Sequence, residues 1–235
     1  MANELNREKV KEYGLSTGAS VAGVAAAQDF HPAPDGCKPA DVLDGCRSVI
    51  VLGIPVPREA ILKDDPVGFI DARNAVNEKV SAAVKSVEKW IRGKGYKARS
   101  VTGMSGKWVD EGGKKVQFGL ISLKHAAELA GLGVIGRNYL LTNPRYGNLL
   151  WFGAVLTDAI ITPDPKSEYR FCDHCGICAE MCPPKALDHY PGAFGKKQCD
   201  GTMFKKVNGK WEILCFMCRK ACPHCLGTAD GKDGL

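Results

Sequence analysis

The run Cys172-x2-Cys175-x2-Cys178-x3-Cys182-Pro183 constrains this chain more than any other feature. Three thiols at two-residue gaps can cap one face of an iron–sulfur cube. The fourth, followed by proline, usually serves a second cube. A half-copy follows at Cys215-x2-Cys218-x3-Cys222-Pro223. From residue 171 onward Cys, Pro and Gly rise and long apolar periodicities vanish, so little remains for a core of its own. Clusters must do the folding work there, as structural metals do in small domains.

A cube needs four thiolates, one per iron. Crossing the fourth cysteine of each run to the other cluster gives a first set of Cys172, Cys175, Cys178 and Cys222. The second set is Cys182, Cys215, Cys218 and one more. Stepping back two residues beyond Cys215 reaches Glu212, so the missing ligand is distant. Cys199, with Gly195 and Gly201 nearby to bend the chain, is the candidate, and Cys225 is the runner-up. The competing assignment is a pair of zinc ribbons, which needs neither the third thiol of the run nor the Cys-Pro ending. Cys37, Cys46 and Cys225 read as buried or incidental thiols. Eleven cysteines, odd in number and bunched at metal-ligand spacing, argue for ligation over disulfides. The expected compartment is a reducing cytoplasm.

The preceding part reads as a mixture of helices and strands. Arg7 to Tyr13 looks helical, and Ser20 to Ala26 is a strand or buried segment. Ser48 to Ile54 is apolar on both faces, as a central covered strand should be. Val76, Val80, Val84, Val87 and Ile91 step by four, four, three and four, marking one helix face over 71–92. A strand over 97–101 follows, then a hairpin over 107–118 turning at Glu111-Gly112-Gly113. Ser122 is expected to cap a helix through Ala130, and 148–157 is a further strand. The module boundary falls within 163–169. No apolar run reaches the ~18 residues of a membrane span, and no export signal is read at the N-terminus. The net charge of +6 is spread among acidic residues with no basic block, which argues against a nucleic-acid partner.

Gly131-Leu132-Gly133-Val134-Ile135-Gly136 spells G-x-G-x-x-G. A dinucleotide loop must follow a strand and open a helix. Here a helix precedes it, so nicotinamide binding is not expected. Three glycines still let backbone pass close to a bulky ligand, and Arg137 adds a cation; the alternative is a tight turn with Gly131 as a helix cap. His125 falls within a helix and reads as a packing or surface residue. His174 and His224 lie between cluster cysteines, where a hydrogen bond to sulfur could tune a potential; the alternative is simple surface exposure. Trp211 and Phe216 are placed to shield the second cube from water.

The segment Lys124 to Asn138, then Leu140-Leu141, Asn143-Pro144, Gly147 and Gly153-x3-Thr157-Asp158, resembles epoxyqueuosine reductase, whose relatives include the catalytic core of reductive dehalogenases. The cysteine pattern is similar too, including an isolated thiol like Cys199. Gly45-Cys46-Arg47 and the strand after it are also similar. The resemblance implies an α+β fold: a nitroreductase-like α/β core over 1–165 and a C-terminal ferredoxin-like module with two 4Fe–4S clusters over 166–235. It implies a cobalamin beside the nearer cluster, with Gly131, Gly133, Gly136, Arg137 and Asn138 lining its pocket. The implied function is a cytoplasmic iron–sulfur oxidoreductase, fed by a low-potential donor of the ferredoxin or flavodoxin type and acting on a small molecule. The alternative is an electron carrier or reductive activator of a partner protein. Two departures shape these expectations. An ungapped match puts Gln117 where the family has an acidic proton donor, so no catalytic residue is assigned. The chain ends ten residues after Cys225, so tRNA-binding repeats, and tRNA epoxyqueuosine as substrate, are not expected.

Overall fold

The computed structural model describes residues 5–31, 33, 35–63, 65–103, 105–110, 115–169, 172–188, 194–207 and 209–228. In chain order the elements are α1 (Arg7–Ser16), β1 (Val21–Ala26), α2 (Pro39–Val42), β2 (Ser48–Pro55), α3 (Arg58–Leu62), α4 (Pro66–Arg92), β3 (Ala98–Thr102), β4 (Gly106–Asp110), β5 (Lys115–Gly119), α5 (Leu123–Leu129), β6 (Val134–Ile135), β7 (Leu141–Thr142) and β8 (Leu150–Thr157). The cysteine-rich part adds α6 (Ile177–Glu180), α7 (Lys196–Met203), β9 (Phe204–Val207), β10 (Lys210–Ile213) and α8 (Met217–Lys220). Among the described residues no helix is long and apolar enough to cross a membrane.

The chain divides into two compact units. The first comprises Met1–Ile54, Asn77–Leu132 and Trp151–Ser167. Its centre is a four-stranded sheet in the order β1-β2-β8-β3, with β1 antiparallel to β2 and β3 antiparallel to β8. The apolar run over 48–54 does become a strand buried along its length, Ser48 included. Ser48 is tolerated because its hydroxyl donates to the Ala159 carbonyl at 2.9 Å and accepts the Ile161 amide at 3.0 Å. A buried hydroxyl without such partners would cost free energy.

The apolar stripe of α4 is buried as its spacing requires: Val80, Val84, Val87 and Ile91 are fully enclosed and pack with Ile50, Leu52 and Val155. Each such side chain contributes about 1.5–3 kcal/mol by leaving water. α4 begins at Pro66, five residues before the stripe suggested. Asp65 accepts the Val67 amide at 3.1 Å, and proline suits a first-turn position whose N–H has no intrahelical partner. α1 is capped by Asn6, which accepts the Lys9 amide at 2.9 Å. Its Tyr13 stacks on Trp90 at 4.5 Å. The predicted hairpin forms, with Asp110 opposite Lys115; its turn, 111–114, lies outside the described residues. The cap expected at Ser122 is corrected: the hydroxyl sits 2.6 Å from Nδ1 of His125 rather than on a backbone amide.

The second unit comprises Pro55–Val76, Gly133–Leu150 and Glu168–Leu235. Three separate stretches of sequence meet in it. Phe69 lies against Phe216 with ring centroids 4.6 Å apart, and Arg73 pairs with Glu212 at 3.0 Å. Asn148 holds the Cys225 backbone, donating its amide to that carbonyl at 3.0 Å. The apolar cluster around the cysteines is small: Cys178, Ala179, Cys182, Ala186 and Leu187, with Tyr139, Phe194, Cys199 and Cys218 packed on it. Thiols are thus part of the core itself. Between Cys199 and Cys215 the chain forms the β9–β10 hairpin, which the sequence analysis did not separate from the surrounding loops.

Candidate metal centre

Cys172, Cys175, Cys178 and Cys222 line one small hollow, open to solvent, together with Gly136 and Arg137. The chain can bring them there because Gly176 takes a left-handed turn, φ +86°, before the single turn of α6 places Cys178 inward. Cys222 arrives from the far end of α8. Its thiol is pushed up first by burial and then by Cys178, Cys172 and Cys175. Cys178 is raised by burial and by Cys172, with the Arg137 cation pulling the other way. These are the four thiols that the crossed-over spacing groups together.

The other four also meet. Cys199 lies on α7, and its thiol is pushed up to about 12, by burial first and then by the charges of Cys218, Asp200, Cys215 and Cys182. Cys218 is pushed up to about 11 by burial; Arg219 opposes this, while Cys215, Cys182 and, from the first set, Cys178 add to it. Cys225 faces a different set. Its buried thiol donates to Oδ1 of Asn148 at 3.4 Å, and its charged neighbours are Arg219, Cys222 and Cys218.

Four thiols gathered in one place cannot all ionise unless a cationic centre joins them, and metal binding draws off their protons. All eleven cysteines are unbridged. Among the described residues, no three His, Cys, Asp or Glu side chains close on a single ion. A cube differs from a single ion in that each thiolate holds its own iron, so its ligands surround a core rather than converge on a point. The hollow that the first four cysteines help to line suits that demand. Cys46 and Cys37 lie elsewhere: Cys46 is buried with its thiol toward the Ser48 carbonyl at 3.5 Å, and Cys37 approaches the Gly119 carbonyl at 3.9 Å.

The glycine segment splits by role. It leads from α5 into β6, not into a helix, so it lacks the order of a dinucleotide loop. Gly131 has φ +72°, and a side chain there would strike the Pro165 carbonyl at 2.3 Å. Gly133 has φ +151°, and a side chain there would strike the Thr142 carbonyl at the same distance. These two glycines answer to the chain's own backbone. Gly136, Arg137 and Asn138 face the cysteines instead. A Cβ on Gly136 would lie 3.6 Å from Sγ of Cys172, and the Arg137 amide donates to that sulfur at 3.3 Å. Asn138, buried, donates to the Cys218 carbonyl at 3.3 Å. No sequence signal separated the two halves of this segment, because the contacts that divide them are set by the fold and not by spacing.

His174 and His224 both line the hollow. Phe216 is buried against Phe69. The side chains of Trp211 and Gln117 lie outside the described residues. His125 has its pKa lowered by burial first and by Lys124 second.

No protein-family model matches the chain. Curated relatives do: an epoxyqueuosine reductase of Lactococcus garvieae is 25% identical over 77% of this chain and 53% of its own length. One from Gloeobacter violaceus is 25% identical over 94% of this chain and 69% of its own. The chain thus spans about half the length of the first of these. Among solved structures, epoxyqueuosine reductase from Streptococcus thermophilus matches with a TM-score of 0.67 at 16% identity, over 93% of this chain and 65% of that one. An epoxyqueuosine reductase bound to an epoxyqueuosine-modified tRNA stem loop matches at 0.62 and 18%, over 97% and 66%. A reductive dehalogenase described with a mechanism for B12-dependent dehalogenation matches at 0.64 and 20%, over 96% and 33%. The curated homologues and structural neighbours are therefore those of the family that the sequence resembles, and the mixed α/β fold with its sheet core is theirs. The expectation against a nucleic-acid partner runs against the neighbour that holds a tRNA stem loop.

Proposed function

We propose that the chain is an iron–sulfur oxidoreductase similar to epoxyqueuosine reductase, working in the cytoplasm. It takes electrons from a low-potential donor of the ferredoxin or flavodoxin type and reduces a small substrate. The observation that carries this reading is the hollow lined by Cys172, Cys175, Cys178 and Cys222, with Cys182, Cys199 and Cys218 packed in the small core beside Cys178. Cys172, Cys175, Cys178 and Cys222 would hold one 4Fe–4S cluster; Cys182, Cys199, Cys215 and Cys218 would hold the other. When bound, the clusters supply one-electron transfer, at potentials that span about −700 to +450 mV across such centres.

The protein's part is to hold and insulate. The Arg137 amide donates to Cys172 sulfur, which fixes that ligand and stabilises charge on it. Asn138 ties the hollow that it lines to the Cys218 backbone. Phe69 and Phe216 keep water from the segment before Cys218. The ferredoxin-like module of this reading covers 166–235, following the core over 1–165. Cobalamin belongs to it on the strength of the dehalogenase neighbour alone. Gly131 and Gly133 do not supply an open cradle for a corrinoid, because backbone fills the space beside them.

A second reading, an electron carrier or activator of a redox partner protein, is favoured by Gln117 at the position of the family's acid. An amide cannot donate a proton as an acid. Adding cobalamin to anaerobically reconstituted protein separates the two. A retained corrinoid band supports the enzyme; intact clusters with no retained corrinoid or flavin support the carrier. Gel shift with a tRNA stem loop at stated salt tests the nucleic-acid alternative, since phosphate contacts weaken steeply with salt.

A further inference from the structure

We infer that the turn over 136–140 braces the two cysteine quartets against each other and fixes their separation, with Asn138 as its positioning residue. The inference rests on the two-cluster reading. Three consecutive residues of this turn reach different cysteines. The Arg137 amide donates to Sγ of Cys172, of the first quartet, at 3.3 Å. Nδ2 of Asn138 donates to the carbonyl of Cys218, of the second, at 3.3 Å. Tyr139 packs on the core that holds Cys178 and Cys182, one from each set. Its ring centroid lies 5.1 Å from that of Phe194, which packs there too.

The turn is stiff enough to transmit position. The Tyr139 amide donates to the Gly136 carbonyl at 2.9 Å, and the Gly136 amide to the Leu140 carbonyl at 3.0 Å. Tyr139 has φ +56°, a left-handed conformation that costs an L-residue free energy and persists where its surroundings over-determine it. Asn138 is only 6% exposed, and both ends of its amide are engaged: Oδ1 accepts the Leu140 amide at 3.1 Å while Nδ2 serves Cys218. A flipped amide would set donor against donor. The Cys218 carbonyl sits on the single turn of α8, and a helix this short leaves its acceptors to outside partners. The chain through α6 already joins Cys178 to Cys182. The turn adds a second link, from Cys172 to Cys218. Two links fix a distance that one leaves free to flex. Ligands held by outer hydrogen bonds keep their places within narrow limits, and the magnetic interaction between two reduced clusters falls steeply as they separate.

The test is EPR on the full chain, reconstituted anaerobically and reduced with dithionite, which supplies one electron to each cluster. Wild-type protein should show the splitting of two interacting centres. Asn138→Leu nearly keeps the shape of the side chain, adds no charge and removes both hydrogen bonds. It should hold about eight iron and eight sulfide per chain yet lose that splitting, leaving two separate signals. Both clusters present with the splitting unchanged would overturn the inference. Should Asn138→Leu fail to hold both clusters, Tyr139→Gly decides by the same reading, since glycine accepts the left-handed backbone and removes only the ring. A weakened splitting there supports the brace, and an unchanged one overturns it. Loss of a cluster from both variants also overturns it, because the turn then serves assembly and not spacing. Wild-type protein without inorganic sulfide removes the parent reading and this inference together, which the sulfide assay shows before any spectrum is taken.

Discussion

Cys199 shows how far a single thiol depends on its neighbours. Alone among its quartet it lies outside both tight runs, yet its charge environment is made of Cys218, Asp200, Cys215 and Cys182. Cys199→Ser should cut iron and sulfide from about eight to about four of each per chain. Cys225→Ser should keep both clusters, because that thiol is engaged by Asn148. The opposite result would exchange their roles. Cys178→Ala should likewise lose one cube and loosen the small core that this residue shares with Cys182. Cys46 makes a pH prediction. Burial pushes its thiol from 9.0 to about 11, against the pull of the Thr157 and Ser48 backbone. The unfolded chain releases that proton near its ordinary value while the folded chain keeps it. Stability is therefore full below pH 9 and falls between 9 and about 11. Urea midpoints at about pH 8 and about pH 10 should diverge less in Cys46→Val than in the wild type.

At the scale of elements, what the sequence made legible was whatever depends on near neighbours. The stripe on α4 and the doubly apolar β2 follow from periodicity, and both are buried as the pattern requires. Ile91→Ala should cost about 2–5 kcal/mol, since it opens a cavity beneath a fully enclosed side chain. In a protein of this size that corresponds to roughly 2–4 °C of melting temperature per kcal/mol. A change much below that range would mean the site collapses around the gap. The start of α4 was missed because Asp65-Pro66 lies ahead of the apolar stripe and signals through a cap instead. The roles of Gly131 and Gly133 were not legible at all. The obstacles that demand glycine there are the carbonyls of Pro165 and Thr142, and spacing alone does not place them. Gly133→Val should therefore disturb the pairing of β6 with β7 and, through Arg137, weaken retention of the first cluster. Full iron and sulfide in that variant would count against the link.

For the whole molecule, the composition change at residue 171 marked only the last of three stretches that build the cysteine-bearing unit. Residues 55–76 and 133–150 join it as well, through Phe69, Arg73 and Asn148. Apolar and turn-forming residues in those stretches look like ordinary connections until their distant partners are known. The run from Cys172 to Cys182, by contrast, was readable as a ligand motif because its spacing is a local property, whereas Cys199 and Cys222 had to be joined to it from a distance. Iron and acid-labile sulfide determined on oxygen-free protein, with the EPR spectrum of the reduced sample, test the central claim most directly. The account predicts about eight of each per chain and two interacting one-electron centres; zinc in place of iron, or no inorganic sulfide, would contradict it.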